Sequence, residues 1–269
     1  MTDPVSQKDV NLILSTEWIG KTLYTEQVLD STNQYARDLF HQKSPEGTVV
    51  CAEQQIKGRG RWGREWYSPK GLGLWFSVIL QPVFYDIAPQ GTMWIGCLAV
   101  LSAVEQLFGI SMKIRWPNDL YFQQRKCCGF LAEYMLSPDR SGTMVLGIGL
   151  NVNQTQGDFP EHIKNTAVSL KMITDEEINR SFLLAEILNR LEFIYQEAAR
   201  EGMDWLFQKW IAYSDLLDQD VVVRISKSTV RGRVTGFDKN GELILENHNG
   251  HIQSFSDGEV LEVKYVTGH

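Results

Sequence analysis

The sequence has few cysteines, and no two of them form a C-x-x-C pair. The four cysteines are Cys51, Cys97, Cys127 and Cys128. This spacing argues against a zinc ribbon and against a thioredoxin-type motif, and adjacent cysteines cannot easily form a disulfide with each other. We therefore expect free thiols, which are typical of a reducing compartment such as the cytoplasm.

Positive charge is also scarce. The 269 residues include 26 lysines and arginines against 33 aspartates and glutamates, which gives a net charge of −7. That balance argues against a broad nucleic-acid-binding surface, which favours net positive charge. We therefore expect no nucleic-acid partner.

Signals for export and for membrane insertion are missing as well. The first residues, Met-Thr-Asp-Pro, have neither the basic nor the apolar region of a signal peptide. The most apolar stretch, residues 93–112, contains Glu105 and Gln106. Because charge and amide groups interrupt it, this stretch favours a buried core helix over a membrane span, and we expect no membrane partner.

Ordinary globular composition remains, with 43% apolar and 22% charged residues. The pattern of apolar residues predicts helices at 30–40, 91–108, 175–200 and 203–213. It predicts strands at 48–52, 72–80, 112–116, 119–122, 129–136 and 143–152. Turn residues separate the short strands, as a mixed or antiparallel sheet requires. The predicted fold class is therefore α+β.

The C-terminal part has a different character. From about residue 218 the sequence contains no convincing helix, and Asn240-Gly241 and Asn249-Gly250 are strong hairpin signals. Several short strands in about fifty residues predict a small β-barrel or sandwich. We expect a large domain over 1–215 and a small one over 216–269.

The loop Lys57-Gly-Arg-Gly-Arg-Trp-Gly-Arg64 places three glycines and four cations in eight residues. Glycines let backbone N–H groups approach an anion, and arginines donate two parallel hydrogen bonds to a phosphate or carboxylate. Gly58, Gly60 and Gly63 also fit G-x-G-x-x-G, but no helix-forming sequence follows, and the Lys-Ser/Thr of a P-loop is missing. The loop predicts an anion-binding site of another kind, or a solvated basic turn.

Three further segments could carry chemistry. They are Arg115-Trp-Pro-Asn-Asp119, Lys126-Cys-Cys-Gly-Phe-Leu-Ala-Glu133 and Gly147-Ile-Gly-Leu-Asn-Val-Asn153. Asn118 and Asp119 could hold a magnesium ion or orient an amine, or form an ordinary Asx turn. Lys126 could serve a site or simply be solvated, and the glycine-punctuated strand could admit a ligand or form a bulge.

Together these segments resemble a biotin protein ligase. Five motifs appear in order: Ser31-Thr-Asn33, Gln55-x-x-Gly58-Arg-Gly-Arg-Trp-Gly-Arg64, Arg115-Trp-Pro-Asn-Asp119, Lys126-x-x-Gly129 and Gly147-x-Gly149-x-Asn151. The resemblance implies an α+β catalytic domain related to the class II aminoacyl-tRNA synthetase core, with a mixed sheet and helices, followed by an SH3-like β-barrel. The first motif begins too early to leave room for a DNA-binding domain, so the expected form is the ligase alone.

The implied reaction has two steps. Biotin and ATP first give biotinyl-5′-AMP, with Mg²⁺ as the expected cofactor. A lysine of a biotin carboxyl carrier protein, such as that of acetyl-CoA carboxylase, then takes the biotinyl group and releases AMP. The sequence leaves open which carboxylase is the acceptor and whether the ligase is a monomer or a homodimer.

The resemblance also assigns site residues. The implied catalytic residues are Lys126, Asp119 and Arg61, with Asp119 also the candidate metal ligand. The implied biotin-binding residues are Ser31, Thr32, Asn33, Gln55, Gly58, Arg59, Gly60, Arg61, Lys126, Gly129, Gly147 and Gly149. The implied nucleotide-binding residues are Arg61, Trp62, Arg64, Asn118 and Asn151.

Two departures from the family pattern and two alternative functions stand beside this reading. Arg115 replaces the usual lysine, and Trp62 interrupts what is often a run of arginine. A lipoate ligase or octanoyltransferase shares the catalytic fold, although the loop of residues 57–64 (the Gly-Arg loop) and the Trp-Pro-Asn-Asp segment favour biotin. A non-catalytic biotin-binding protein would keep the pocket without consuming ATP, but the presence of Lys126 and Asp119 argues against it.

Overall fold

A computed structural model of the protein describes residues 3–82, 89–135 and 142–265. Its larger sheet has seven strands: β1 (Leu23–Glu26), β2 (Val49–Ala52), β3 (Gly73–Leu80), β4 (Lys113–Arg115), β5 (Asp119–Phe122), β6 (Arg125–Met135) and β7 (Thr143–Asn151). They lie in the order β1-β2-β3-β7-β6-β5-β4. Among the described strands of this sheet, β1 and β2 alone pair in parallel, so the prediction of a mixed sheet is confirmed.

Helices cover both faces of this sheet. They are α1 (Gln7–Asn11), α2 (Thr32–His41), α3 (Pro89–Phe108), α4 (Leu170–Thr174), α5 (Arg180–Glu201) and α6 (Met203–Ile211). Strand β3 shows why both faces need cover: Phe76 and Val78 belong to the core beneath α3, whereas Ile79 packs in the cluster beneath α2. A strand buried on both faces reads as a continuous apolar run.

Helix α3 is the most apolar element of the chain. Its residues Gly91–Phe108 are long and apolar enough to cross a membrane, but 67% of them are buried inside the protein. They pack mainly against α5, α6 and the strands β6 and β7. The described structure therefore gives α3 the role of a core helix, as predicted.

Two predicted boundaries were wrong. The helix expected at 175–200 begins at Arg180. The short helix α4 ends before it, with Asp175 as a left-handed C-cap, and the Asn179 side chain caps the start of α5. The strand expected at 129–136 begins at Arg125, so Lys126 lies within β6 rather than before it. Residue 136 lies outside the described residues. All four cysteines are free and buried, and burial raises the pKa of the Cys51 and Cys127 thiols to about 12.

The C-terminal residues form a second, antiparallel sheet. Its strands are β8 (Asp220–Ile225), β9 (Ser228–Phe237), β10 (Leu243–Glu246), β11 (Ile252–Phe255) and β12 (Glu259–Lys264), in the order β11-β10-β9-β8-β12. Gly241 and Gly250 occupy the predicted turns with φ of 79° and 78°. In the part of the chain that the structure describes, no pairing joins β11 to β12 to close a barrel.

The turn at Gly241 seats the second sheet on the first part of the protein. A Cβ atom at Gly241 would lie 2.4 Å from the Trp94 ring, so only glycine fits there. The indole of Trp116 donates a hydrogen bond of 2.9 Å to the Gly241 carbonyl. The segment that carries Asn118 and Asp119 is thus held directly against the C-terminal sheet.

Candidate functional site

A cavity of about 290 Å³ opens between the two sheets. Its walls come from the start of α2, the loop 57–68, strands β5 to β7 and the first residues of β12. The lining includes these residues of the predicted site: Ser31, Thr32, Asn33, Gln55, Arg59, Gly60, Arg61, Trp62, Arg64, Asn118, Asp119, Lys126, Gly129, Gly147, Gly149 and Asn151. Five motifs that span 121 positions of the chain therefore meet at one place.

Gly58 is the predicted residue that does not line this cavity. A Cβ atom at Gly58 would lie 2.5 Å from the Trp66 carbonyl oxygen. The Gly58 carbonyl in turn accepts a 2.9 Å hydrogen bond from the Trp66 N–H. The glycine is needed for this close approach of two backbone segments.

The uncharged end of the cavity is formed by the start of α2. Ser31 holds the N-cap position, and its side chain makes no capping bond. The Gln55 side-chain oxygen accepts a 2.8 Å hydrogen bond from the Thr32 N–H, while the Gln55 amide nitrogen donates to the Ser68 hydroxyl at 3.0 Å. Gln55 therefore satisfies one of the N–H groups that a helix start leaves without a partner.

Glycines along β6 and β7 make room for two side chains. A Cβ atom at Gly147 would lie 2.1 Å from Asn33 Oδ1, and one at Gly149 would lie 2.3 Å from the Trp66 indole nitrogen. Gly129, the cross-strand partner of Gly149, also lies under the Trp66 ring. We expected Gly147 and Gly149 to allow close approach of a ligand ring. Both line the cavity beside Asn33 and Trp66, and their contact with a ligand stays a prediction.

Trp66 is a residue that the sequence reasoning missed. Its indole nitrogen is buried without a hydrogen-bond partner, which is costly unless a partner is supplied. The ammonium of Lys126 lies 5.1 Å from the Trp66 ring centre, within the range of a cation–π interaction. An aromatic residue just after a loop of glycine and arginine was the available signal.

Lys126 and Asp119 face each other across the β5–β6 pair. Lys126 Nζ lies 2.7 Å from Asp119 Oδ1, and both side chains are partly exposed to the cavity. Within the described ranges, no three histidine, cysteine, aspartate or glutamate side chains gather as a metal site. A metal role for Asp119 stays a prediction that would need oxygen ligands from a bound molecule.

The charged end of the cavity is formed by the Gly-Arg loop and the C-terminal sheet. Arg61 pairs with Asp257, and Arg64 pairs with Glu259 at the start of β12. The Trp62 indole donates a 2.8 Å hydrogen bond to Asp257, and its ring, half exposed, lies beside both guanidinium groups. The loop cations that we expected to face phosphate thus have carboxylate partners in this structure.

The electrostatics of this contact follow from its burial. Burial lowers the pKa of the Arg61 guanidinium. For Glu259, burial acts to raise the pKa, but the hydrogen bond and charge of Arg64 and the charge of Arg224 outweigh it, so the pKa is lowered. The carboxylates of Asp257 and Glu259 lie 195 residues from Trp62 and Arg64 respectively, so no local sequence signal could have found them.

Two predicted nucleotide contacts already have partners within the protein. The Asn118 amide donates to the Phe130 carbonyl, and its oxygen lies 3.4 Å from Arg61 Nη1. Asn151 donates to the Val168 carbonyl at 3.1 Å and accepts from Gln154 at 3.2 Å. Further lining residues that the sequence reasoning left out include Phe159, Ile163, Ala167 and Arg115. The Arg115 guanidinium pairs with Asp215 at 2.7 Å and lies over the Tyr121 ring.

Comparison with known proteins places this site in a family. Residues 25–153 match the model of the biotin/lipoate A/B protein ligase family. The bifunctional ligase/repressor BirA of Bacillus subtilis is 35% identical over 253 residues, which is 94% of this chain and 78% of that protein. BirA of Escherichia coli is 27% identical over 97% of this chain and 79% of that protein.

Solved structures agree. The biotin protein ligase from Aquifex aeolicus in complex with biotin and ATP superposes with a TM-score of 0.77 at 30% identity, covering 91% of this chain and 100% of that one. The ligase from Leishmania major with biotinyl-5-AMP shares the fold, with a TM-score of 0.62 at 19% identity, over 88% of this chain and 99% of that one. The chain therefore belongs to the biotin/lipoate A/B protein ligase family, and within it to the biotin protein ligases.

Proposed function

We propose that the chain is an ATP-dependent biotin protein ligase that forms biotinyl-5′-AMP and transfers the biotinyl group to a lysine of a biotin carboxyl carrier protein. The observation that carries this proposal is the division of one cavity into an uncharged polar end and a cationic end. Biotin is a neutral ring with a carboxylate tail, and ATP is a polyanion. One cavity can therefore hold both, with the two reacting anions meeting near Lys126.

In the first step the biotin carboxylate attacks the α-phosphorus of ATP and pyrophosphate leaves. Two anions must approach while negative charge builds on the phosphoryl group, so fixed cations lower the barrier. Lys126, at the boundary between the two ends, steadies the carboxylate and the phosphoryl oxygens. Arg61 and Arg64 bind phosphate once they leave Asp257 and Glu259.

The remaining predicted residues take supporting roles. Ser31, Thr32, Asn33 and Gln55 bind the biotin ring, and the backbone at Arg59 and Gly60 contacts biotin or the adenylate. Asn118, Asn151 and Trp62 border the nucleotide. Asp119 offers the carboxylate that Mg²⁺ takes beside substrate phosphates, which fits a site with one acidic ligand, and the ion would neutralise phosphate charge there.

In the second step a carrier lysine attacks the mixed anhydride, and Asp119 is placed to orient its amine. The cavity excludes water from the anhydride until that amine arrives. We place this chemistry in the cytoplasm, since four buried free thiols suit a reducing compartment. The catalytic unit is residues 1–215, and the unit 216–269 supplies carboxylates to the loop.

The experiment is incubation of the protein with labelled biotin, ATP-Mg²⁺ and an apo carrier domain, read by mass spectrometry of the carrier. We expect one added biotinyl group that depends on ATP. Parallel reactions replace biotin by lipoate and omit ATP. A carrier that gains lipoate instead would favour the lipoate ligase alternative, and biotin binding without ATP consumption would favour a non-catalytic binding protein.

A further inference from the structure

The hydrogen-bond network behind the uncharged end of the cavity contains a serine that does not line the cavity. Ser77 lies on β3, is fully buried, and faces Gly147 across the sheet. Its hydroxyl oxygen lies 2.6 Å from Asn33 Oδ1 and 2.8 Å from Thr32 Oγ1. Ser77 thus contacts both cavity-lining side chains from the protein side.

The number of available hydrogens fixes the direction of these bonds. Asn33 Oδ1 has no hydrogen, so the 2.6 Å contact is a bond only if Ser77 donates its single hydrogen there. Ser77 then has only lone pairs for Thr32, so the 2.8 Å contact is a bond only if the Thr32 hydroxyl donates to Ser77. The order of donation is Thr32 to Ser77 to Asn33.

The Asn33 amide nitrogen is committed as well. It donates to Glu133 Oε2 at 2.7 Å and to the Leu131 carbonyl at 3.3 Å. Both of its hydrogens therefore point into the protein, and the carboxylate of Glu133 prevents the amide from turning round. What Asn33 and Thr32 have left for the cavity is lone pairs only.

Gln55 completes the network without changing this outcome. Its side-chain oxygen lies 3.1 Å from Thr32 Oγ1, but it already accepts the Thr32 N–H at 2.8 Å. The Thr32 hydroxyl can serve either Gln55 or Ser77, and only donation to Ser77 relieves the shorter oxygen–oxygen contact. Removing Ser77 would leave the Thr32 hydrogen only the longer contact with Gln55, at 3.1 Å, so that the hydrogen can turn toward a ligand oxygen instead.

We infer that Ser77 is a positioning residue that holds Thr32 as an acceptor beside the acceptor of Asn33, so that this end of the cavity selects a ring presenting two N–H donors. This inference rests on the proposed function, because the cyclic urea of biotin carries two such N–H groups. If a ring carried an oxygen in place of an N–H, its lone pairs would face the lone pairs of the Thr32 or Asn33 oxygen, with no hydrogen between them. A site built this way rejects an analogue that leaves its buried polar groups unpaired.

The test compares biotin with two cyclic carbamate analogues, in each of which a different ring N–H is replaced by oxygen. Dissociation constants are measured by calorimetry for the full chain and for Ser77→Ala. We expect the natural protein to prefer biotin over each analogue by about a hundredfold or more. In Ser77→Ala the preference over one analogue should fall about tenfold, the loss of one hydrogen bond, and the other preference should stay.

Thr32→Val tests the order of donation. It removes the hydroxyl and keeps the shape of the side chain. Adding Ser77→Ala to the Thr32→Val variant should therefore change neither preference. A double-mutant cycle measures this coupling between Thr32 and Ser77. The matched control is Ser181→Ala. Ser181 is another buried serine, on α5, and its hydroxyl oxygen accepts a 3.2 Å hydrogen bond from the Ser6 N–H. Both preferences should be unchanged in that variant.

Equal preferences in Ser77→Ala and the natural protein would overturn the inference, as would a natural protein that accepts both analogues. Should Ser77→Ala not fold, Ser77→Cys keeps the shape but offers a weaker acceptor to the Thr32 hydroxyl, and unchanged preferences there would overturn the inference equally. A natural protein that does not bind biotin would instead refute the proposed function. The two failures are therefore distinguishable.

Discussion

The two ends of the cavity are held in different ways. At the uncharged end, Thr32 and Asn33 are buried and Gln55 is partly buried. Hydrogen bonds of 2.6–3.1 Å join the three side chains to one another and to residues of the larger sheet and its loops. At the charged end, Arg61 and Arg64 lie on a surface loop and contact carboxylates from the other sheet that are themselves partly exposed.

This difference indicates which parts of the site are preformed in the absence of substrate. Buried, mutually satisfied hydrogen bonds keep the geometry of the uncharged end fixed. These ion pairs are only partly buried and are therefore screened in part by solvent, so a triphosphate can compete with Asp257 and Glu259 for the loop. On this account the uncharged end is preformed, whereas at the charged end substrate phosphates replace the carboxylates of Asp257 and Glu259.

Lys126 lies near the Trp66 ring and pairs with Asp119, and its loss should have the largest effect. Lys126→Ala removes the cation that faces both reacting anions, so adenylate formation should slow by about 10²–10³-fold. Single-turnover formation of biotinyl-AMP measures this. The control is Lys164→Ala, which also removes one charge but breaks only an exposed pair with Glu161. A loss below tenfold in Lys126→Ala would remove this lysine from the catalytic set.

The uncharged end can be broken by adding one methyl group. In Gly149→Ala the new Cβ would lie 2.3 Å from Trp66, so the indole must move, at a cost of about 1–3 kcal/mol. We expect biotin affinity to fall at least tenfold, as measured by calorimetry. Gly236→Ala is the control, because no atom lies within 4 Å of its Cβ position. Unchanged biotin affinity in Gly149→Ala would show that Trp66 does not shape this end.

The charged end should respond differently to removal of the cation and removal of its carboxylate partner. Arg61→Ala loses the cation, so bound biotinyl-AMP should dissociate about tenfold faster. Asp257→Asn keeps Arg61 but removes its competing anion, so the adenylate should be retained as long or up to about fivefold longer. Stopped-flow dissociation measures both variants. Faster release from Asp257→Asn would mean that the carboxylate supports the bound state instead.

The smallest effect concerns the pH dependence of the Arg64–Glu259 contact. Because the pKa of Glu259 is lowered in the folded protein, its stabilisation is present above the unfolded pKa of about 4.3 and is lost as pH falls through the lower folded value. Glu259→Gln should therefore unfold more easily than the natural protein near neutral pH, by less than about 1 kcal/mol. Chemical denaturation measures this difference, which should vanish in strong acid. A difference that persists in strong acid would exclude this carboxylate as its source.

Much of the fold and site could be predicted because each feature was local in the sequence. The strands of the larger sheet follow from short apolar runs between turn residues, and five contiguous motifs supplied most of the cavity wall. The start of α5 was missed because the residues before Asn179 also carry acidic and apolar residues that fit a helix. Its true beginning is fixed by that cap and by the end of α4.

What could not be predicted depends on contacts between distant residues. Asp257 and Glu259 reach the Gly-Arg loop because the second sheet packs against the first part of the protein, with contacts that include Gly241 on Trp94 and Gly258 on Trp116. Ser77 acts on residues 44 and 45 positions away, through a strand that reads as plain apolar sequence. The sequence around Gly149 predicts room for a ligand, but in the structure the Trp66 indole lies directly beside this glycine.

The central claim is that the loop 57–64 exchanges its partners while the uncharged end stays as it is. Hydrogen exchange of the backbone amides, with and without bound biotinyl-AMP, tests this most directly. We predict markedly slower exchange in residues 57–64 on binding, because the ligand must offset about 1–2 kcal/mol of backbone entropy for each ordered residue, and little change in the amides of β3 behind the uncharged end. Equal exchange of the loop in both states would contradict the account.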